Sequence, residues 1–188
     1  ALINQLRCDN HETLEQHNNS EPHKTQKPSV PSVKNTVRIY LLLLLRYCCL
    51  FYWLIDLIDC LYSGKPGDTV FIHLNTPGGH LDTAMQILNA IQSAECEVFG
   101  IADGPVCSAG TLILFACPNI GIQDYSYLML HDGSEGVVGK INENLKQAQF
   151  TAKLLEKICN KVYYPFFSKK EIAAILDGKD MWLTAEEV

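Results

Sequence analysis

Apolar and polar positions alternate most cleanly at Val70–Leu74. Val70, Ile72 and Leu74 fall on one side of this run and Phe71 and His73 on the other, the period-two pattern of a strand. Asn75-Thr76-Pro77-Gly78-Gly79 breaks it. A helix then opens near His80, with Leu81, Ala84, Met85, Leu88 and Ile91 spaced by threes and fours along one face. Val98, Phe99, Ile101 and Ala102 predict a short buried strand, and Ala109 to Ala116 (AGTLILFA) an apolar helix. Tyr127-Leu128-Met129-Leu130 predicts another strand, ending at His131. Beyond a glycine-rich stretch, Ile141, Leu145, Ala148, Ala152, Leu155, Ile158 and Val162 form the stripe of a long helix, either ordinary core packing or a seam. Ser168-Lys169-Lys170-Glu171 is a capping box opening the helix Glu171–Leu176, which Gly178 ends; Thr184-Ala185-Glu186-Glu187 is a second such box. Repeated strand–helix units predict an α/β fold.

The N-terminal region follows other rules. Residues 1–36 are polar, with three histidines and the segment Lys27-Pro28-Ser29-Val30-Pro31, and they lack apolar periodicity. A disordered or processed tail is expected there. Val37 to Ile58 is almost long enough to span a bilayer, but Arg46 sits near its middle and Asp56 near its end. Both are costly in hydrocarbon, which argues against a membrane span. No basic region and small-residue cleavage site frame it as a signal peptide.

Composition narrows the function. With 188 residues, 47% of them hydrophobic, the chain suffices for one domain with a sizeable core. A net charge of −6 without a basic stripe argues against nucleic-acid binding. The eight cysteines lie mostly inside apolar segments and form no C-x-x-C, the pattern of reduced, buried thiols in a cytoplasmic protein. No His/Cys group has zinc-ligand spacing. Gly136-Val137-Val138-Gly139-Lys140-Ile141 imitates a phosphate loop, but its first glycine is misplaced and Ile141 stands where Ser or Thr is needed. No cofactor is expected, and ATP hydrolysis is not expected of this chain.

The candidate chemistry lies in Gly104-Pro105-Val106-Cys107-Ser108-Ala109-Gly110, which places one hydroxyl at a strand-to-helix junction. A helix N-terminus offers unpaired N–H groups and positive potential to a developing oxyanion. The same serine is equally explicable as an N-cap. Gly78-Gly79 lets bare backbone approach a ligand, or simply makes a tight turn. His131 at a strand end and Asp180 before Met181-Trp182-Leu183 are, taken singly, ordinary structural or solvated residues.

Together, NTPGG, GPVCSAGTL, LMLHDG and KDMWLTAEEV resemble, in order and spacing, the proteolytic-subunit family of the Clp protease (ClpP), over roughly Val37 to Val188. The resemblance implies a Ser–His–Asp triad of Ser108, His131 and Asp180, with the backbone N–H groups of Gly79 and Ala109 as oxyanion donors. Asp180, rather than Asp177, matches the family's aspartate before the aromatic-Leu-Ser/Thr-Ala segment. It also implies a ClpP/crotonase-like fold of repeated strand–strand–helix turns with a protruding handle helix. An extended strand followed by an amphipathic helix, Tyr52–Leu61, is implied at the troubled leucine-rich segment, with Lys65-Pro66-Gly67-Asp68 as the terminating loop. The domain would be residues 37–188, truncated at its C-terminus relative to the family.

The implied activity is that of a serine endopeptidase assembling as two stacked heptameric rings. A separate AAA+ unfoldase would use ATP to deliver unfolded polypeptides. The chain departs from the family in places. Asp132-Gly133 follows His131 where relatives carry Gln-Pro, and Gly178-Lys179 stands where many carry an Asp-Arg pair linking the rings. Lysine keeps that charge but not the planar fork of arginine. The alternatives are a noncatalytic ring subunit or adaptor, and a crotonase-type acyl-CoA enzyme using the same backbone oxyanion hole.

Overall fold

The computed structural model describes residues 35–42 and 51–188. The leucine-rich residues 43–50 and the polar tail up to residue 34 lie outside the described residues, as do Cys8, Cys48 and Cys49.

Six strands form one mostly parallel sheet. Strand β1 (Thr36–Leu42) pairs in parallel with β2 (Thr69–Thr76), and β2 with β3 (Glu97–Cys107). Strand β3 then forks. Its residues Phe99–Ala102 pair with β4 (Asn119–Ile122), while Val106 and Cys107 pair with β5 (Tyr127–Leu130). A final strand, β6 (Met181–Thr184), runs antiparallel to β5. The predicted short strand at Val98–Ala102 is therefore longer, extending through Gly104-Pro105 to the residue before Ser108. Pro105 has no N–H to offer a ladder, and it falls where β3 changes partner, with a register shift against β2 between Leu74 and Thr76.

The alternation in β2 holds along its length, with Val70, Ile72 and Leu74 buried. The opposite side of the sheet carries Phe71 stacked on Phe99 at 4.9 Å and His73 Nδ1 2.8 Å from Asp103 Oδ2.

Helix α1 (Phe51–Ser63) contains the expected Tyr52–Leu61 segment, and the turn after it closes with Asp68 N donating to Lys65 O. Among the described residues no helix is long and apolar enough to cross a membrane. The strand ahead of this helix begins one residue before Val37, and Asn35 N donates to Asp68 Oδ1.

Helix α2 (Leu81–Ser93) is rotated from the expected face. Ala84, Ile87, Ala90 and Ile91 are buried, whereas Leu81, Met85 and Leu88 are only partly covered. It packs against both α1 and α3 (Ala109–Ala116), so its covered arc is centred between two neighbours instead of over the sheet alone. Helix α3 is buried from Ala109 through Phe115, as an apolar helix without a polar face requires.

The long helix α4 (Ile141–Val162) reaches the core through its second half, with Leu155, Cys159 and Val162 buried and Ile158 packed against that core. Ile141 is 85% and Leu145 55% exposed, so ordinary core packing does not account for the first half of its stripe. Helix α5 (Lys169–Leu176) begins at the predicted capping box and ends before Gly178, whose φ is +90°.

Candidate active site

Ser108 stands between β3 and α3 with φ 54° and ψ −126°, the one non-glycine residue at positive φ among those described. Such a conformation costs on the order of 1–3 kcal/mol and persists only where its surroundings fix it. Here they do. Ser108 N donates to Met129 O at 2.7 Å, and Ser108 O accepts from Thr111 N at 2.9 Å and from Thr111 Oγ1 at 2.6 Å.

The parallel pairing of Cys107 with Met129 aligns the end of β3 with the end of β5, where His131 follows Leu130. The imidazole Nε2 lies 2.7 Å from Ser108 Oγ, and both residues are half-buried. The serine hydroxyl makes no capping bond to α3. Its oxygen faces the histidine instead, which removes the N-cap explanation of this residue.

The Gly-Gly turn after β2 closes over the same point. Gly78 has φ +97°, and a Cβ placed on it would stand 2.6 Å from Ser108 Cβ and 3.2 Å from Ala109 N. Only a bare backbone fits there. Gly79, with φ +152°, follows it and is exposed. Ala109 opens α3, so its N–H precedes the first intrahelical acceptor and sits at the positive end of the helix. At Gly110 a Cβ would meet Thr76 Cγ2 at 2.5 Å, so β2 is also packed directly against the first turn of α3.

Asp180 is placed differently. The β5–β6 register pairs Leu130 with Met181. His131 directly follows β5 and Asp180 directly precedes β6, at the same end of this strand pair. Yet Asp180 is exposed, and among the described residues no hydrogen bond joins it to His131. Asp177 is the C-cap of α5 and makes no such bond either. The structure thus brings together Ser108, His131, Gly78-Gly79 and Ala109, and leaves the carboxylate alongside.

Two hydroxyls behind the serine have no counterpart in the sequence reading. Thr111 is fully buried, and its Oγ1 lies 2.7 Å from the hydroxyl of Tyr163, the buried C-cap residue of α4. The signal for Thr111 was a polar residue inside AGTLILFA; Tyr163 carried none. Cys107 beside the serine is buried, which pushes its thiol pKa up and keeps it protonated.

A cleft of about 650 Å³ starts at Asp132 and Gly133, directly after His131, and runs between α4 and α5, with Leu155 and Leu176 among its walls. A larger one, about 790 Å³, lies between α2, the end of α3 and α4, and includes neither Ser108 nor His131.

Comparison with known proteins places the chain in a family. The Clp protease family model matches residues 54–188. The ATP-dependent Clp protease proteolytic subunit 3 of Rhizobium etli is 31% identical over 125 residues, which cover 64% of this chain and 63% of that protein. Proteolytic subunit 2 of Treponema denticola is 30% identical over 134 residues, covering 70% of this chain and 65% of its own. Proteolytic subunit 2 of Pseudomonas aeruginosa is 27% identical over 122 residues, 64% of this chain and 61% of its own. The chain therefore spans just under two thirds of the length of these relatives. With 135 consecutive residues matched by the family model, the chain belongs to the Clp protease family.

Proposed function

We propose that this chain is a serine endopeptidase, the proteolytic subunit of an ATP-dependent Clp-type protease. The observation that carries the reading is the 2.7 Å approach of His131 Nε2 to Ser108 Oγ at the N-terminus of a buried helix. A serine hydroxyl is a poor nucleophile until a base takes its proton. His131 takes it as Oγ attacks the scissile carbonyl, then returns it to the leaving amine; water repeats the sequence to free the acyl group.

The negative charge that develops on the carbonyl oxygen is met by the N–H groups of Gly79 and Ala109. Loss of one such donor costs about 2.7–4 kcal/mol in a comparable enzyme. In this reading Asp180, just before β6, is the carboxylate that fixes the imidazole tautomer and stabilises the imidazolium once it engages His131; in the single chain it is exposed and makes no bond to that residue. The 650 Å³ cleft beyond His131 is where an extended polypeptide would lie. The relatives' names give an ATP-dependent Clp protease, and we propose for this chain the assembly that the sequence resemblance implies: two stacked heptameric rings fed with unfolded polypeptide by a separate AAA+ unfoldase.

The test is hydrolysis of a fluorogenic peptide by the wild type and by Ser108→Ala. Hydrolysis by the wild type that the substitution abolishes supports the reading; equal turnover by both refutes it.

A second reading, a noncatalytic Clp-type ring subunit, draws on one observation: Asp180 is exposed and makes no bond to His131. Light scattering on the eluted protein, paired with the peptide assay, separates the two. A large active ring supports the protease, and an inactive particle the noncatalytic subunit.

A further inference from the structure

We infer that Thr111 and Tyr163 are positioning residues for Ser108, acting through a one-way chain of hydroxyls that ends on the serine's own carbonyl. The inference rests on the reading of Ser108 as a nucleophile. Thr111 Oγ1 is 2.6 Å from Ser108 O and 2.7 Å from Tyr163 Oη. A carbonyl only accepts, so the single Thr111 hydroxyl proton goes to Ser108 O. Tyr163 must then donate to Thr111, since each hydroxyl has one proton to give. The direction of the whole chain, Tyr163 to Thr111 to Ser108, is fixed by counting hydrogens.

Burial holds it that way. Thr111 and Tyr163 are 0% and 2% exposed, so water does not compete for either hydroxyl. Desolvation also pushes the Tyr163 pKa well up, which keeps the phenol protonated as a donor. Its ring is held edge-on by Phe115 and Phe167 at 5.8 and 5.9 Å, so the hydroxyl has little freedom to leave.

The consequence falls on the torsions of Ser108. Its N–H is tied to Met129 O, and its C=O accepts from both the N–H and the hydroxyl of Thr111, the hydroxyl bond being the shorter. With both φ and ψ fixed in an unfavourable region, the Cα–Cβ bond has one direction, from which Oγ reaches His131 Nε2 at 2.7 Å. Each donor in such a chain polarises the next. Neither Thr111 nor Tyr163 touches the place where substrate would lie, so their effect is on the geometry of attack and not on binding.

The experiment compares wild type, Thr111→Val, Thr111→Ser and Tyr163→Phe as full-length protein. It reads the rate of Ser108 modification by a fluorophosphonate, mapped by mass spectrometry, and kcat and KM on a fluorogenic peptide. Thermal unfolding first confirms that each variant is folded. The expected result is a loss of about tenfold in modification rate and kcat for Thr111→Val, the scale of a small misplacement of a reacting group. A smaller loss follows for Tyr163→Phe, with KM unchanged in both. Thr111→Ser keeps the hydroxyl and restores the wild-type rate. Wild-type rates in Tyr163→Phe, or a Thr111→Ser variant as slow as Thr111→Val, overturn the inference while Ser108 remains the labelled residue. Absence of labelling in the wild type itself defeats the nucleophile reading, and the inference with it.

Discussion

At Gly78 two demands coincide: φ is +97°, and any Cβ would fall 2.6 Å from that of Ser108 and 2.8 Å from Cys107 O. Gly78→Ala therefore strains its own backbone, by about 1–3 kcal/mol, and pushes on the serine. Lower thermal stability together with lost peptide hydrolysis is the expected outcome, measured by circular dichroism and the fluorogenic assay. Asp180 poses the opposite case, being exposed and without a bond to His131. Under the triad reading Asp180→Asn leaves stability unchanged and lowers kcat by orders of magnitude, about 10⁴ in a well-characterised serine protease. An unchanged kcat would remove it from the mechanism. Ser108 and His131 were visible in the sequence because each ends a recognisable apolar run. Thr111 and Tyr163 were not, since their contact joins residues 52 apart and neither belongs to a motif.

Helix α5 shows how far local pattern carries an element. Ser168 Oγ accepts from Glu171 N at 3.3 Å, and the Glu171 carboxylate accepts from Ser168 N at 2.8 Å, the reciprocal pair that the sequence spacing predicts. The Ser168 hydroxyl also donates to the Glu171 carboxylate at 2.7 Å; that bond first, and then the one from Ser168 N–H, hold the Glu171 pKa below 4.5. A lowered folded value means the contribution is present above the unfolded pKa and disappears as pH falls through the folded one. Carboxyl-carbon NMR titration should place the Glu171 midpoint below 4.5, and Ser168→Ala, which keeps the N–H bond and loses the hydroxyl one, should raise it. The same substitution costs about 1 kcal/mol of stability. Capping and alternation are short-range, which is why α3, α5, β2 and β5 were legible. The rotated face of α2 and the extra length of β3 were not, because each depends on partners distant in the chain: α1 and α3 on one, β4 and β5 on the other.

For the whole molecule, strand order was not written in any local pattern, since parallel pairing joins segments tens of residues apart; the resemblance implied only repeated strand–strand–helix turns. Ile113, in the middle of α3, has no exposed surface. Ile113→Ala should cost about 2–5 kcal/mol, read as a lower denaturant midpoint at unchanged slope. The first half of α4 is the part of the molecule that its own core does not use, with Ile141, Leu145 and Phe150 exposed. In the proposed assembly these side chains lie between rings. Scattering should then give a large particle for the wild type and a smaller one for Ile141→Asp with Leu145→Asp. Every level of the account returns to one contact, an imidazole nitrogen 2.7 Å from a strained serine hydroxyl. Its most direct test is fluorophosphonate modification of the wild type and of His131→Ala, with the adduct located by peptide mapping. A single adduct on Ser108 that forms readily in the wild type and is lost in His131→Ala is the predicted result. Modification elsewhere, or at equal rates in both proteins, would contradict it.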